Sequence, residues 1–86
     1  MGEEELIEVG RITHFFSKIN VAVIELKAAL SVGDIIAIKG PTTDFEQHID
    51  SIQIEHQNVQ RAEPGQSIGL KVMQRVRETD VVYKKP

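Results

Sequence analysis

The chain has 86 residues, no cysteine and a formal net charge of -3 at pH 7. This length fits one domain, and the absence of cysteine excludes a disulfide framework and a thiolate zinc site. No apolar run approaches the roughly 20 residues of a membrane span, and the N-terminus lacks the basic and apolar regions of a signal peptide, so we expect a cytoplasmic protein without membrane contact.

The first strand is predicted to begin near residue 6, after a disordered acidic N-terminus at residues 1–5. Ile7 and Val9 fall on one face of this strand, whereas Ile12 falls on the other. A β-bulge at Gly10 would account for the change of phase, because glycine permits the close approach and kink that a bulge needs.

The second strand follows a short polar loop at residues 17–20. Ala22, Ile24 and Leu26 alternate with the residues between them, which predicts a half-buried strand with one face tending to water. Residues 25–30 have helical propensity over about one and a half turns, too few for an isolated helix. We therefore predict a turn or a short helical link there.

A tight turn at Gly33 and Asp34 leads into the most strongly marked strand of the chain. Ile35, Ile36 and Ile38 give this strand its β-branched character. Gly40 and Pro41 are expected to end it, since glycine interrupts strands and proline cannot donate to a ladder. The sequence therefore predicts a turn that feeds directly into a buried strand.

The second half of the chain has the same organisation of strands and turns. A strand over residues 45–56 changes phase near Asp50 and Ser51, which predicts a second bulge, and residues 63–66 form a strong turn signal. Residues 67–77 are predicted to form a strand with apolar side chains on one face and most of the basic charge on the other, and residues 81–84 form a last short strand. About six strands and two bulges predict an all-β domain over residues 6–86, a small six-stranded antiparallel β-barrel.

Basic charge is concentrated at the C-terminal end of the chain. Residues 1–60 hold four basic and ten acidic side chains, whereas residues 61–86 hold six basic and three acidic ones. Five of these basic side chains, named here the basic set, are the candidates for binding RNA or another anion: Lys71, Arg75, Arg77, Arg61 and Lys84. Three aromatic residues could add stacking contacts to it: Phe15, Phe16 and Tyr83. The alternative for the basic set is a solvated strand face whose charges protect a sheet edge.

No catalytic or metal-binding pattern is present in the sequence. The three histidines, His14, His48 and His56, are expected to be separate and exposed rather than zinc ligands, because zinc needs three or four converging groups. The aspartates stand beside turn signals and are expected to stabilise turns. Phosphate-loop and serine-elbow motifs are absent. We therefore expect no enzymatic activity, no cofactor and no nucleotide.

Two stretches together resemble a known barrel. Residues 30–40, Leu-Ser-Val-Gly-Asp-Ile-Ile-Ala-Ile-Lys-Gly, resemble the L-x-x-G-D-x-(I/V)-x-(I/V)-x-G signature of the second domain of elongation factor Tu and its relatives, and residues 59–70 resemble the second signature of that barrel. The opening strand, Val-Gly-Arg-Ile-Thr-His-Phe-Phe, is more similar to the C-terminal barrel of the collagenase-like peptidase family. The resemblance extends over nearly the whole chain.

The resemblance implies a binding module rather than an enzyme. Its translation-factor side implies a non-catalytic module of the translation or RNA-processing machinery, with tRNA or the ribosome as the partner. Its peptidase side implies an accessory domain that docks on a catalytic protein partner and positions the substrate of that partner. On this second hypothesis exposed aromatic residues and Met73 matter more than the basic set, because interface cores favour aromatic residues and methionine over charge.

Overall fold

The computed structural model describes residues 5–86, which form ten strands and no helix. In chain order these are β1 (Ile7–Phe16), β2 (Val21–Leu26), β3 (Leu30–Ser31), β4 (Ile35–Gly40), β5 (Thr43–His48), β6 (Ile52–Ile54), β7 (Gln57–Val59), β8 (Arg61–Ala62), β9 (Ser67–Lys71) and β10 (Val81–Lys84). The predicted all-β fold is confirmed, and six of these strands have four or more residues. Of the predicted disordered N-terminus, residues 1–4 lie outside the described residues.

Eight strands form one antiparallel sheet in the order β5-β4-β10-β1-β2-β9-β6-β7, and β3 pairs with β8. β1 is the longest strand and lies between β10 and β2. The sheet surrounds an apolar core made largely of aliphatic residues, of which the largest fully buried ones are Ile12, Ile24, Leu30, Ile36, Ile38, Ile49, Ile52, Ile68 and Leu70. The result is a small β-barrel-like fold. Across residues 5–86 no helix has the length and apolar character needed to cross a membrane.

The predicted bulge at Gly10 is present. The register between β1 and β10 shifts between Glu8 and Gly10. On the other flank of β1, Gly10 pairs with Leu26, and a Cβ atom at Gly10 would collide with the backbone carbonyl of Glu25. The close approach of β2 therefore requires glycine at this position.

The turn at Gly33 and Asp34 is also confirmed. Gly33 has a φ of 98°, and the Asp34 carboxylate accepts a hydrogen bond of 2.9 Å from the Ser31 N–H. The same corner accounts for the second change of phase, because Ile49 exchanges backbone hydrogen bonds of 2.9 Å with Gly33 and Asp34. The predicted bulge near residues 50 and 51 is therefore wrong. The chain ends β5 at His48 and begins β6 afterwards.

The long strand predicted over residues 67–77 is wrong beyond Lys71, where β9 ends. Val72 donates its N–H to the carbonyl of Asn20 at 2.9 Å, and the chain then leaves the sheet. Val72 and Val76 remain buried in this irregular connection, so their even spacing follows from burial and not from strand geometry. Arg75 and Arg77 consequently lie in the connection between β9 and β10 rather than on a strand face.

Gln47 joins the free edge of β5 to the segment that follows β9. Its side chain is 7% exposed, its Nε2 donates to the Lys71 carbonyl at 2.9 Å, and its Oε1 accepts the N–H of Met73 at 2.8 Å. A primary amide can offer one donor and one acceptor in this way, as a peptide unit of a neighbouring strand would. The side chain of Gln47 thus closes the barrel where backbone pairing stops.

Candidate functional site

The basic set divides into paired and unpaired side chains. Arg61 Nε lies 2.8 Å from a Glu63 carboxylate oxygen, and Lys84 Nζ lies 4.0 Å from an Asp34 carboxylate oxygen. Within residues 5–86 the side chains of Lys71, Arg75 and Arg77 make no salt bridge. These three therefore keep their charge available to an incoming group.

Strand register separates members of the basic set. Lys84 pairs with Ile7 at the beginning of β1, whereas Lys71 pairs with Val21, which pairs with Phe16 at the end of β1. The two lysines thus stand level with opposite ends of a ten-residue strand. The sheet therefore does not bring all five side chains of the basic set into one row. Anion binding by the basic set stays a prediction.

The three predicted aromatic contacts have different environments. Phe15 packs against the core, Phe16 is 47% exposed, and Tyr83 is partly buried on β10, where it pairs with Glu8 and Ala37. Adjacent residues of a strand face opposite sides of the sheet, so one of the two neighbouring phenylalanines packs inward and the other lies outside the core. Of the predicted site residues, Phe16 and Lys71 share one cross-strand row.

An apolar groove of about 440 Å³ runs over the outer face of the sheet next to that row. Its apolar walls come from Phe16 of β1, Ile19 of the following turn, and Val21 and Val23 of β2. Ile19 is 60% exposed, so the apolar surface at this turn is accessible to solvent. An exposed apolar patch bounded by polar groups is typical of an interaction site.

Gly69 of β9 forms the floor of the groove, opposite Val23. A Cβ atom at this position would meet the Val21 side chain at 3.6 Å and the Gln53 carbonyl at 3.9 Å, which are ordinary contacts. Its φ does not lie in the left-handed region. Neither backbone conformation nor packing therefore requires glycine at position 69.

A strained two-residue turn forms one lip of the groove. Glu55 and His56 connect β6 to β7 with φ values of 51° and 66°, and both residues line the groove. Glycine or asparagine is favoured in such a turn, and a strained backbone position costs on the order of 1–3 kcal/mol. Within the described part of the chain Glu55 has no salt-bridge partner. An unpaired carboxylate and an imidazole are thus held beside an apolar surface.

The histidines do not form a metal site in the described structure. All three are exposed, and no group of three His, Asp or Glu side chains within residues 5–86 could hold a metal ion. His14 instead lies 3.4 Å from Glu78, and its ring centroid is 4.3 Å from that of Phe16. The imidazole therefore supports the exposed phenylalanine at the end of the groove.

Asp80 is the acidic side chain most deeply buried in the described part of the chain. Its Oδ2 accepts the Arg77 N–H at 2.9 Å, whereas its Oδ1 is buried without a hydrogen-bond partner and lies against Gly40. The Asp80 carbonyl accepts the N–H of Ile12 at 2.8 Å. These bonds confirm its predicted turn-stabilising role and tie the β9–β10 connection to β1. Asp34 has the same role, whereas Asp44 pairs with Lys39 at 3.0 Å.

The sequence interpretation missed most of the groove. Val21 and Val23 could have indicated an exposed apolar surface, because they are apolar residues on the face of β2 that the alternating pattern assigns to water. The contributions of Gly69, Glu55 and His56 depend on the register of β2, β9 and β6, which local pattern does not give. One groove-lining residue, Phe16, is among the predicted residues, and a second predicted residue, Lys71, lies beside the groove as the cross-strand partner of Val21.

The curated proteins similar to this chain include a protease and a collagenase. No model of a protein family matches the chain. An uncharacterized protease of Methanocaldococcus jannaschii is 45% identical over 78 residues, which are 90% of this chain and 19% of the relative. A collagenase of Porphyromonas gingivalis is 39% identical over 80 residues, which are 91% of this chain and 19% of the collagenase.

The fold matches a solved domain. The C-terminal domain of a putative U32 peptidase from Geobacillus thermoleovorans superposes with a TM-score of 0.87 at 20% identity, and the match covers 93% of each chain. This likeness confirms the fold. The chain spans about a fifth of the length of the curated relatives it matches. These findings support the collagenase-like side of the resemblance and give no support to its translation-factor side: the chain is similar to a segment of proteases and collagenases, and its fold is that of a peptidase C-terminal domain.

Proposed function

We propose that this chain is a non-catalytic accessory domain of a collagenase-like peptidase, which docks on the catalytic part of that enzyme and positions its protein substrate. The sequence match carries this proposal, because a protease and a collagenase each contain a segment similar to nine-tenths of the chain. The catalytic part could be joined to the chain or encoded separately.

The chemistry of the described residues fits a role without catalysis. Within residues 5–86 the histidines are exposed, and no cluster of His, Asp or Glu could hold a metal ion. The sequence contains no cysteine and no serine-elbow motif. A domain of this kind contributes to proteolysis by binding and positioning.

Its outer face fits a binding role. Phe16, Ile19, Val21 and Val23 present an open apolar surface beside unpaired charges. Interfaces commonly combine an apolar centre with a polar rim. A preformed strand framework also holds such side chains in place before binding, which lowers the ordering cost.

The proposal can be tested by replacing the matching segment of the Porphyromonas gingivalis collagenase with this chain. Three proteins are compared for hydrolysis of denatured collagen: the intact collagenase, a form without the segment, and the replacement. We expect loss of hydrolysis in the deleted form and recovery in the replacement, because the inserted domain supplies the missing binding surface.

A second replacement controls for simple restoration of chain length. It carries an unrelated small β-barrel between the same junctions, and circular dichroism and thermal unfolding confirm that each protein is folded. Equal hydrolysis by the two replacements would contradict the proposal. Full activity of the deleted collagenase would contradict it as well, because no accessory role would then exist.

A further inference from the structure

We infer that the groove over Gly69 binds an extended segment of the peptidase's protein substrate, with an apolar side chain on the glycine floor, a basic residue at the Glu55 end and an acidic residue at the Lys71 end. The source of this segment rests on the proposed function. The binding chemistry rests on the groove itself.

The first support is the open floor. Gly69 is free of the steric and conformational constraints that explain Gly10, and a methyl group would fit there in ordinary contact. Glycine inside a strand weakens the strand, by about 0.5–1 kcal/mol relative to alanine. The fold therefore tolerates a side chain at this position, and the absence of one leaves space for an incoming side chain between Val23 and Gln53.

The second support is the strained turn at the lip. Glu55 and His56 both adopt left-handed backbone conformations, as a two-residue hairpin turn requires, and glutamate, unlike histidine, rarely adopts such a conformation. The turn holds the exposed Glu55 carboxylate beside the groove. Strain of this kind clusters at binding sites, and here it coincides with Glu55, the carboxylate that lines the groove among residues 5–86.

The third support is the arrangement of charge. β6 runs antiparallel to β9 with Gln53 opposite Gly69, so Glu55 lies toward Ser67 at one end of the groove. Lys71 stands at the other end of β9, in the row of Val21 and Phe16. Neither charge has a salt-bridge partner within residues 5–86. The two ends therefore favour opposite charges in the ligand.

The length of the groove sets the length of the segment. Ser67 and Lys71 are four strand residues apart, a distance of about 13 Å at the usual rise of a strand. An extended peptide of five residues has the same span, so its terminal side chains reach the two charged ends while its central side chain lies over Gly69. An anionic polymer is disfavoured at the Glu55 end.

The test uses the labelled chain and short synthetic peptides in a two-dimensional NMR titration. The first peptide is acetyl-Lys-Ala-Leu-Ala-Glu-amide, and the matched control has glycine in place of leucine. We expect the leucine peptide to shift the signals of Val21, Val23 and Gly69, and the glycine peptide to shift them several-fold less. Equal shifts for both peptides, or no shifts, would overturn the inference.

Charge placement is tested with the variant Glu55→Lys and the peptide acetyl-Lys-Ala-Leu-Ala-Lys-amide. Wild-type protein should bind the peptide with one acidic end about threefold more tightly than this all-basic peptide, as exposed ion pairs allow. In Glu55→Lys, a peptide with acidic residues at both ends should become the best ligand. An unchanged order of affinities would contradict the assigned charges.

Filling the floor provides the last variant. Gly69→Leu should abolish the shifts, whereas Ile7→Ala, which removes an exposed apolar side chain at the other end of β1, should leave them unchanged. Concentration-dependent shifts of groove signals without peptide would assign the groove to a second copy of the chain and overturn the inference. These measurements need no peptidase, so failure here is distinct from failure of the collagenase replacement.

Discussion

Gly10 and Gly69 lie in strands on opposite flanks of β2, yet the fold requires glycine only at position 10. Gly10 pairs with Leu26, and a Cβ atom there would collide with the Glu25 backbone carbonyl. Gly69 pairs with Val23, and a Cβ atom there would make ordinary contacts. One glycine allows two strands to approach, and the other leaves an open floor on the surface. Gly10 is therefore required by the bulge, whereas Gly69 is proposed to serve binding in the groove.

Substitution of Gly10 should have the largest effect on stability. Gly10→Ala should lower the free energy of unfolding by about 3 kcal/mol, because the obstacle is backbone and the β1–β2 pairing must shift. Urea unfolding followed by circular dichroism measures the change. A loss below about 0.5 kcal/mol would contradict the assigned close approach, since surface substitutions have effects of that size.

The second largest effect on stability is expected where the Gln47 side chain joins β5 to the segment that follows β9. Gln47→Ala leaves the Lys71 carbonyl and the Met73 N–H without their side-chain partner, and we expect a loss of about 2 kcal/mol of unfolding free energy. Gln53→Ala is the matched control, because its amide makes a single exposed hydrogen bond of 3.3 Å to Asn58. Urea unfolding of both variants should separate them by more than about 1 kcal/mol. Equal losses of unfolding free energy in the two variants would show that the junction between β5 and the segment after β9 does not depend on the buried Gln47 amide.

The smallest effect on stability is expected at Gly69, and its sign is opposite. Gly69→Ala should raise the free energy of unfolding by about 0.5 kcal/mol, because alanine restricts the unfolded chain and fits the strand. The same urea measurements apply. A loss as large as that of Gly10→Ala would remove the contrast between the two glycines and assign Gly69 to the fold.

Several parts of the fold follow from the sequence alone. The change of phase at Gly10 predicts the bulge, and Gly33 with Asp34 predicts the turn that the Ser31 N–H bond now confirms. Both are local features, in which the responsible side chain lies within a few residues of its effect. Alternation failed where burial continued without a strand, as at Val72 and Val76.

The remaining features depend on contacts between distant segments. Gln47 bonds to residues 24 and 26 positions further along the chain, and no local pattern marks a glutamine as a buried closing group. The groove likewise depends on register between three strands. Phe15 and Phe16 are both predicted contact residues, and because adjacent strand residues face opposite sides, the sequence predicts that one of the two lies outside the core without indicating which. The neighbours of Phe16 in the groove became apparent only when β9 was placed beside β2.

The most direct measurement compares two substrates of the collagenase replacement that carries this chain. Gly69→Leu should lower hydrolysis of denatured collagen about tenfold, equivalent to about 1.4 kcal/mol of binding, and leave hydrolysis of a short peptide confined to the catalytic site unchanged. Ile7→Ala should alter neither rate. Parallel loss of both activities, or no loss of either, would contradict a substrate-positioning role for the groove.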